Sequence, residues 1–171
     1  AIYIVRDPRD ITISYSNFLK KSYDNVVTYL FNSESFEQSN IDGKQYDFTL
    51  TGSWSDNYNS WKNYKGIEVL IIKYEDMVSD TQNTFTKIIK YLNKIDNVKI
   101  DDEKIKSCIN LTSFKNLRKI EEEKGFIEKG FGEFFFRKGK VGDWKDKLNQ
   151  DLVKKIEEKF KLEMKELGYI D

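Results

Sequence analysis

The sequence predicts an α/β fold in which helices flank a parallel sheet. Two apolar segments, residues 2–5 and 67–73, are rich in β-branched side chains and lack polar alternation, so we expect strands covered on both faces. Each segment is followed at once by residues that start helices. This strand–helix–strand–helix order is typical of a parallel sheet. Ligands of such folds bind beyond the carboxyl ends of the strands, so a site is expected there.

Helix-starting residues follow the first strand. Asp7 can cap a helix, Pro8 suits its first turn and Asp10 stands at the capping-box position, which predicts a helix over residues 8–21. Further along the chain, helices are predicted from Ser53 through Trp61, over residues 102–109, and from Leu152 to a stop at Gly168, together with a helix that contains Phe85, Ile88, Ile89 and Leu92.

Two segments lack a clear helical or strand pattern. Residues 33–51 are polar with scattered aromatic side chains, which predicts an irregular insertion or a partly helical lid. Residues 125–142 hold five of the nine glycines and predict a long functional loop.

The composition excludes several classes of function. Among 171 residues, Lys plus Arg and Asp plus Glu both total 29, so a basic surface for nucleic acid is not expected. The chain has no His, which excludes a Ser-His-Asp catalytic triad and a Cys-His dyad within it. Its single cysteine, Cys108, excludes an internal disulfide and is expected to be a buried apolar residue. The apolar runs are too short to span a bilayer, so we expect no membrane partner. The single cysteine and the lack of a visible signal peptide favour a cytoplasmic location, and we expect no metal.

The first strand end predicts an anion site. Arg6 stands there, a helix N-terminus follows, and Ser14 lies two turns into that helix. Helix N-terminal amides favour anions and the planar guanidinium matches phosphate oxygens, so these residues could hold one phosphate. The alternative is an ordinary ion pair of Arg6 with Asp7 or Asp10.

A second basic segment lies inside the long loop. Arg137, Lys138 and Lys140 surround Gly139, and successive amides with such cations can form an anion-binding nest. The alternative is a solvated basic turn. The chain has four arginines and 25 lysines. Three of the arginines lie in the two basic segments, which favours a role for the planar guanidinium there. The four are Arg6, Arg9, Arg118 and Arg137.

Five segments in family order resemble motifs of sulfotransferases that use 3′-phosphoadenosine 5′-phosphosulfate (PAPS), most closely those of the cytosolic type, which act on small hydroxyl compounds. Residues 5–18 resemble the 3′-phosphate-binding motif and residues 137–145 resemble the RKGxxGDWK signature. The other three are Gly52-Ser53-Trp54 with Trp61 (GSW…W), Tyr74-Glu75-Asp76-Met77 (YEDM) and Thr112-Ser113-Phe114 (TSF).

The resemblance implies a three-layer fold like that of P-loop NTPases, with PAPS as sulfuryl donor and 3′-phosphoadenosine 5′-phosphate (PAP) as product. The acceptor would be a hydroxyl or amine of a small molecule. Ten residues would bind the nucleotide. Arg6, Ser14, Arg137, Lys138 and Gly139 would hold the 3′-phosphate, Tyr74, Thr112, Ser113 and Phe114 would surround the adenine, and Phe136 would line the pocket.

The sequence also departs from the family pattern. The Lys-bearing phosphosulfate loop and the catalytic His of the family are expected upstream of Ala1, and Asn57 stands where the family often has His. The catalytic residues are therefore unknown. Residues 1–171 are expected to be the C-terminal part of one domain, to supply the 3′-phosphate half of a site and not to catalyse transfer alone. The alternatives are a non-catalytic module that binds 3′-phosphonucleotides and, less favoured, a kinase-like phosphotransferase.

Overall fold

The computed structural model describes residues 1–41, 44–96, 101–127 and 131–171, in which short strands alternate with helices. These residues form two units: residues 1–6, 17–20 and 66–142 make the first, and residues 7–16, 21–65 and 143–171 make the second. Along the chain the elements are β1 (Ile2–Val5), α1 (Pro8–Leu19), α2 (Tyr23–Phe31), β2 (Phe36–Ile41), β3 (Lys44–Leu50), α3 (Trp54–Lys62), β4 (Leu70–Lys73), α4 (Tyr74–Ser79), α5 (Thr81–Asp96), α6 (Asp102–Leu111), α7 (Phe114–Lys124), α8 (Trp144–Lys147), α9 (Gln150–Lys159) and α10 (Lys161–Glu166).

The parallel sheet of the first unit confirms the predicted fold class. Strand β1 pairs with β4 in a register that runs from Ile2 opposite Leu70 to Val5 opposite Lys73. Strand β4 is shorter than the predicted 67–73 because its pairing starts at Leu70, opposite the first residue of β1. Thus both strands end at the same edge of the sheet, one residue before Arg6 and Tyr74.

The two faces of β1 differ in burial. Val5 is buried, but Ile2 and Ile4, which lie on the other face of the strand, are 38% and 50% exposed. The prediction that β1 is covered on both faces is therefore wrong for the residues described here, which cover one face only.

Four helices follow β4 in the first unit. The predicted helices after the strand and over residues 102–109 are present as α5 and α6, and α4 precedes them. The sequence did not predict helix α7, because Thr112-Ser113-Phe114 at its start resembles a nucleotide-binding motif. Cys108 is exposed on α6, so its predicted burial is wrong. Residues 125–127 and 131–142 contain no helix or strand, as predicted for a long loop.

The second unit has an aromatic core at Phe160, whose side chain is fully buried. Its ring lies 5.3 Å from that of Phe31 and 5.0 Å from that of Trp54, centroid to centroid. The single C-terminal helix predicted from the sequence is in fact two, α9 and α10. Phe160 separates them, with φ −109° and ψ 23°. The predicted stop at Gly168 has a left-handed φ of 70°, which glycine accepts readily.

Residues 36–41 and 44–50 form two paired antiparallel strands rather than the predicted irregular or partly helical insertion. Strand β2 pairs with β3 from Phe36 opposite Leu50, with an irregularity between Ser39 and Asn40. The sequence carried a signal for this: residues 45–50 alternate polar with aromatic or apolar residues, as half-exposed strands do. No helix in the described part of the chain is long and apolar enough to cross a membrane.

A buried arginine organises the start of α1. Arg9 is 5% exposed, and its guanidinium donates to both carboxylate oxygens of Asp7, to Glu157 and to the Tyr169 carbonyl. The guanidinium also lies 3.9 Å from the ring centre of Trp144. Burial alone would lower the pKa of Arg9, but its hydrogen bonds and charge interactions with Asp7 and Glu157 raise that pKa above its usual value. Asp7 also accepts from the Arg9 backbone N–H, so the predicted cap of α1 is confirmed.

We predict that Arg9→Ala destabilises the protein by about 3–5 kcal/mol, because it leaves a buried carboxylate without its cation. Lys62→Ala is the matched control. Lys62 pairs with Glu166 at 2.6 Å on the surface of the same unit, and we expect a loss within about 1 kcal/mol. Urea unfolding of both variants is the measurement. Similar losses for the two variants would contradict the organising role of Arg9.

The GSW segment starts α3 with a capping box. Ser53 accepts from the Asp56 N–H, and Asp56 accepts from the Ser53 N–H at 3.1 Å. Trp54 and Tyr58 are buried, as expected for core residues, while Trp61 is 39% exposed. Hydrogen bonds from Ser53 and Ser33 hold the pKa of Asp56 below its ordinary value of 3.8.

We predict that Asp56→Asn destabilises the protein at neutral pH by on the order of 1 kcal/mol, the usual size for a lost helix cap. Because the pKa of Asp56 is lower in the folded chain, its contribution is complete above the ordinary carboxyl pKa and is lost as the pH falls through the lowered value. Unfolding free energies of both proteins between pH 7 and pH 2 should therefore converge at low pH. A difference that is independent of pH would contradict the assignment.

Candidate functional site

The register of the sheet brings Arg6 and Tyr74 together. Each is the residue that follows a strand, and the last residues of the two strands, Val5 and Lys73, are paired. The Arg6 guanidinium carbon lies 4.3 Å from the centre of the Tyr74 ring. A cation over an aromatic face is an attractive contact. The first basic motif and the YEDM segment thus meet at the sheet edge that the sequence indicated.

Arg6 also reaches the second basic motif. Its Nη2 donates to the backbone carbonyl of Lys140 at 3.0 Å, across 134 positions of sequence. We call residues 134–140 the closing loop. Because the acceptor is a main-chain oxygen, the contact fixes the path of the closing loop rather than the side chain of Lys140. Two strand-end residues and the glycine-rich loop therefore share one location in the first unit.

Gly139 packs directly beneath an aromatic ring. Its φ is 59°, and a Cβ atom built there would lie 2.5 Å from Cδ2 of Phe114. No side chain fits at this position without moving Phe114, the first residue of α7. The Phe114 ring also meets that of Phe136 edge-on, with centroids 6.4 Å apart. The TSF segment and the RKG segment are therefore in contact, and Phe114 stays 39% exposed.

The remaining predicted residues lie as follows. Thr112 closes α6 by donating from Oγ1 to the Cys108 carbonyl at 2.7 Å, and Ser113 precedes α7. The Arg137 backbone N–H donates to the Phe135 carbonyl at 2.9 Å, and Lys138 is exposed. Ser14 is exposed on α1, in the part of that helix that belongs to the second unit.

Two residues of α7 that the sequence did not single out for the site contact the closing loop. Glu121 is 5% exposed and accepts the backbone N–H groups of Phe135 and Phe136 at 2.6 and 2.9 Å. Arg118 donates to the Phe136 carbonyl at 3.0 Å. Because arginine is rare in this chain, the sequence could have drawn attention to Arg118. Nothing in the sequence distinguishes Glu121 from the glutamates that follow it.

Two further motif residues have structural roles in the second unit. The Trp144 backbone N–H donates to the buried Asp10 at 3.1 Å, and its ring lies against Arg9. Asn57, which stands where the GSW motif often has His, donates from Nδ2 to the Thr51 carbonyl at 3.1 Å. Among the described residues, no group of three or more His, Cys, Asp or Glu side chains is arranged to hold a metal ion.

Comparisons with known proteins agree with the family resemblance of the sequence. The sulfotransferase domain family model matches residues 1–168. The chain is 29% identical to the amine sulfotransferase of Oryctolagus cuniculus, over 96% of this chain and 54% of that protein. It is 30% identical to the 3-alpha-hydroxysteroid sulfotransferase of Cavia porcellus, over 85% of this chain and 49% of that protein.

A solved structure supports the same fold. Mouse sulfotransferase SULT7A1, complexed with PAP, superimposes with a TM-score of 0.70 at 23% identity, over 96% of this chain and 58% of that chain. The chain spans about half the length of the curated relatives it matches. Because the family model covers nearly all of its residues, the chain belongs to the sulfotransferase domain family.

Proposed function

We propose that the protein to which this chain belongs transfers a sulfuryl group from PAPS to a hydroxyl or amine of a small acceptor. The names of the relatives support this, since one is an amine sulfotransferase and another a hydroxysteroid sulfotransferase. The chain spans about half of those proteins, so we assign to it the half of the site that binds the 3′-phosphate.

One observation carries the assignment: Arg6 lies against Tyr74 and donates to the Lys140 carbonyl. This single side chain connects three sequence motifs at the carboxyl end of the sheet, where ligands of α/β folds bind. A guanidinium there can offer paired donors to phosphate oxygens. The Phe114 ring, held against Gly139 and partly exposed, suits stacking with a base.

The first unit offers cationic side chains and a partly exposed aromatic ring to a 3′-phosphonucleotide. Arg6, Arg137, Lys138 and Gly139 would hold the phosphate. When bound, PAPS supplies an activated sulfuryl group on its 5′-phosphate. The other proposed contacts, which rest on the family resemblance, are Ser14 to the phosphate, Tyr74, Thr112, Ser113 and Phe114 to the adenine, and Phe136 to the pocket wall.

Domain organisation and location are also proposals. One family model spans residues 1–168, which supports a single domain that includes both units. We propose that this chain is the C-terminal part of that domain. A cytoplasmic location is supported by the name of a relative that is 30% identical, cytosolic sulfotransferase 12 of Arabidopsis thaliana, which the chain covers over 49% of its length.

Calorimetric titration with PAP, with ADP as the ligand that lacks the 3′-phosphate, tests the nucleotide assignment. We expect PAP to bind more tightly than ADP. Arg6→Ala and Arg137→Ala should each weaken PAP binding about tenfold to a hundredfold, because each removes a charged contact worth about 1.5–3 kcal/mol. Lys94→Ala removes an exposed cation of the same unit and should have little effect. Wild-type affinity for PAP in both arginine variants would reject the phosphate assignment.

A pair of glycine variants tests the Phe114–Gly139 packing. Gly139 and Gly142 both have left-handed φ values, 59° and 83°, so alanine strains the backbone at both. Only at Gly139 would the new methyl group meet a ring, since nothing lies within 4 Å at Gly142. We expect Gly139→Ala to weaken PAP binding about tenfold more than Gly142→Ala, because overpacking displaces Phe114 or the loop. Equal effects on the calorimetric affinity would show that the ring does not matter.

A further inference from the structure

Helix α7 contacts the closing loop in two places, the first of them at Glu121. Glu121 presents both carboxylate oxygens to consecutive backbone N–H groups, those of Phe135 and Phe136, at 2.6 and 2.9 Å. Glu121 is 5% exposed, although the residues that follow it, Glu122 and Glu123, are exposed. A buried carboxylate that accepts two main-chain hydrogen bonds makes strong, directional contacts. Glu121 therefore fixes two successive peptide planes immediately before Arg137.

Arg118 holds the same segment one turn earlier on the helix. Its Nη1 donates to the Phe136 carbonyl at 3.0 Å, and its guanidinium carbon lies 3.4 Å from the centre of the Phe134 ring. Its Nε donates to Glu122 at 2.7 Å, which orients the guanidinium plane. Residues three apart on a helix face the same side, so Arg118 and Glu121 act on the loop together. Together they bond the backbone N–H groups of Phe135 and Phe136 and the carbonyl of Phe136.

The same helix contacts the loop again at its first residue. Phe114, seven residues before Glu121, lies against Gly139. Two turns of helix separate these two contacts, which corresponds to about 10 Å along the axis. The segment from Phe134 to Gly139, which contains Arg137 and Lys138, is therefore fixed to α7 at both ends.

We infer that Arg118 and Glu121 are positioning residues, which set the place of Arg137, Lys138 and Gly139 for binding a nucleotide 3′-phosphate. This inference rests on the proposed function. Neither side chain touches the phosphate in this scheme. Each acts through main-chain groups of the closing loop, so its loss changes where the phosphate-binding residues lie and not which residues are present.

The test compares Glu121→Gln with Glu123→Gln in the full chain. Both replace one carboxylate of α7 by its neutral isostere, but Glu123 pairs only with Lys119 among the ion pairs of the described residues. In Glu121→Gln one of the two loop amides loses its acceptor, because the amide NH2 of glutamine donates and does not accept. We expect PAP affinity to fall about tenfold and ADP affinity by less than twofold. Glu123→Gln should leave both unchanged.

The rate of trypsin cleavage measures how firmly the closing loop is held in the absence of nucleotide. The bonds after Arg137, Lys138 and Lys140 lie in the closing loop. Mass spectrometry of brief digests should show these bonds cut severalfold faster in Glu121→Gln than in Glu123→Gln. Arg118→Lys, which keeps the charge but loses the planar fork, should increase cleavage in the same way and covers the case in which Glu121→Gln does not fold.

The outcomes separate this inference from the proposed function. Faster loop cleavage with a selective loss of PAP affinity supports it. Unchanged cleavage in both Glu121→Gln and Arg118→Lys overturns it, as does an equal loss of PAP and ADP affinity, which would indicate a general structural role. If the wild-type chain does not prefer PAP to ADP, the proposed function fails. The cleavage rates then decide alone whether α7 positions the loop.

Discussion

The parallel pairing of β1 with β4 is the constraint on which the candidate site depends. Because Val5 stands opposite Lys73, the residues that leave the two strands emerge at the same edge, and Arg6 meets Tyr74 there. Side chains alternate between the two faces of a strand, so a slip of one residue would move Tyr74 away and bring Glu75 toward the same place. The register is thus a condition for the chemistry as well as for the sheet.

The closing loop is attached to this edge and to α7 largely through its backbone. Arg6 binds the Lys140 carbonyl, Arg118 binds the Phe136 carbonyl, and Glu121 binds the amides of Phe135 and Phe136. Arg6, Arg9 and Arg118 also lie over aromatic rings, those of Tyr74, Trp144 and Phe134. A planar guanidinium can stack and donate in its own plane at once, which an ammonium cannot do. At these positions of a lysine-rich chain, the guanidinium therefore makes contacts that a lysine could not replace.

Much of the fold could be predicted because its signals are local. Strand β1, the cap of α1 at Asp7 and the start of α3 at Ser53 follow from neighbouring residues in the sequence. The break at Phe160 and the one-sided cover of β1 depend on distant contacts that no local pattern contains. In the site, the two basic segments indicated Arg6 and Gly139, and the family resemblance indicated Tyr74. The sequence did not reveal Glu121, because an exposed and a buried glutamate look alike in a helix of mixed charge.

The two hydrogen bonds at Glu121 also have an entropic consequence. Fixing the backbone of one residue costs roughly 1–2 kcal/mol of conformational entropy. For Phe135 and Phe136 this cost is met when the chain folds, since their amides are already bonded to the carboxylate. A ligand that arrives at a loop ordered in advance has less freedom to remove, so more of its contact energy is retained as affinity.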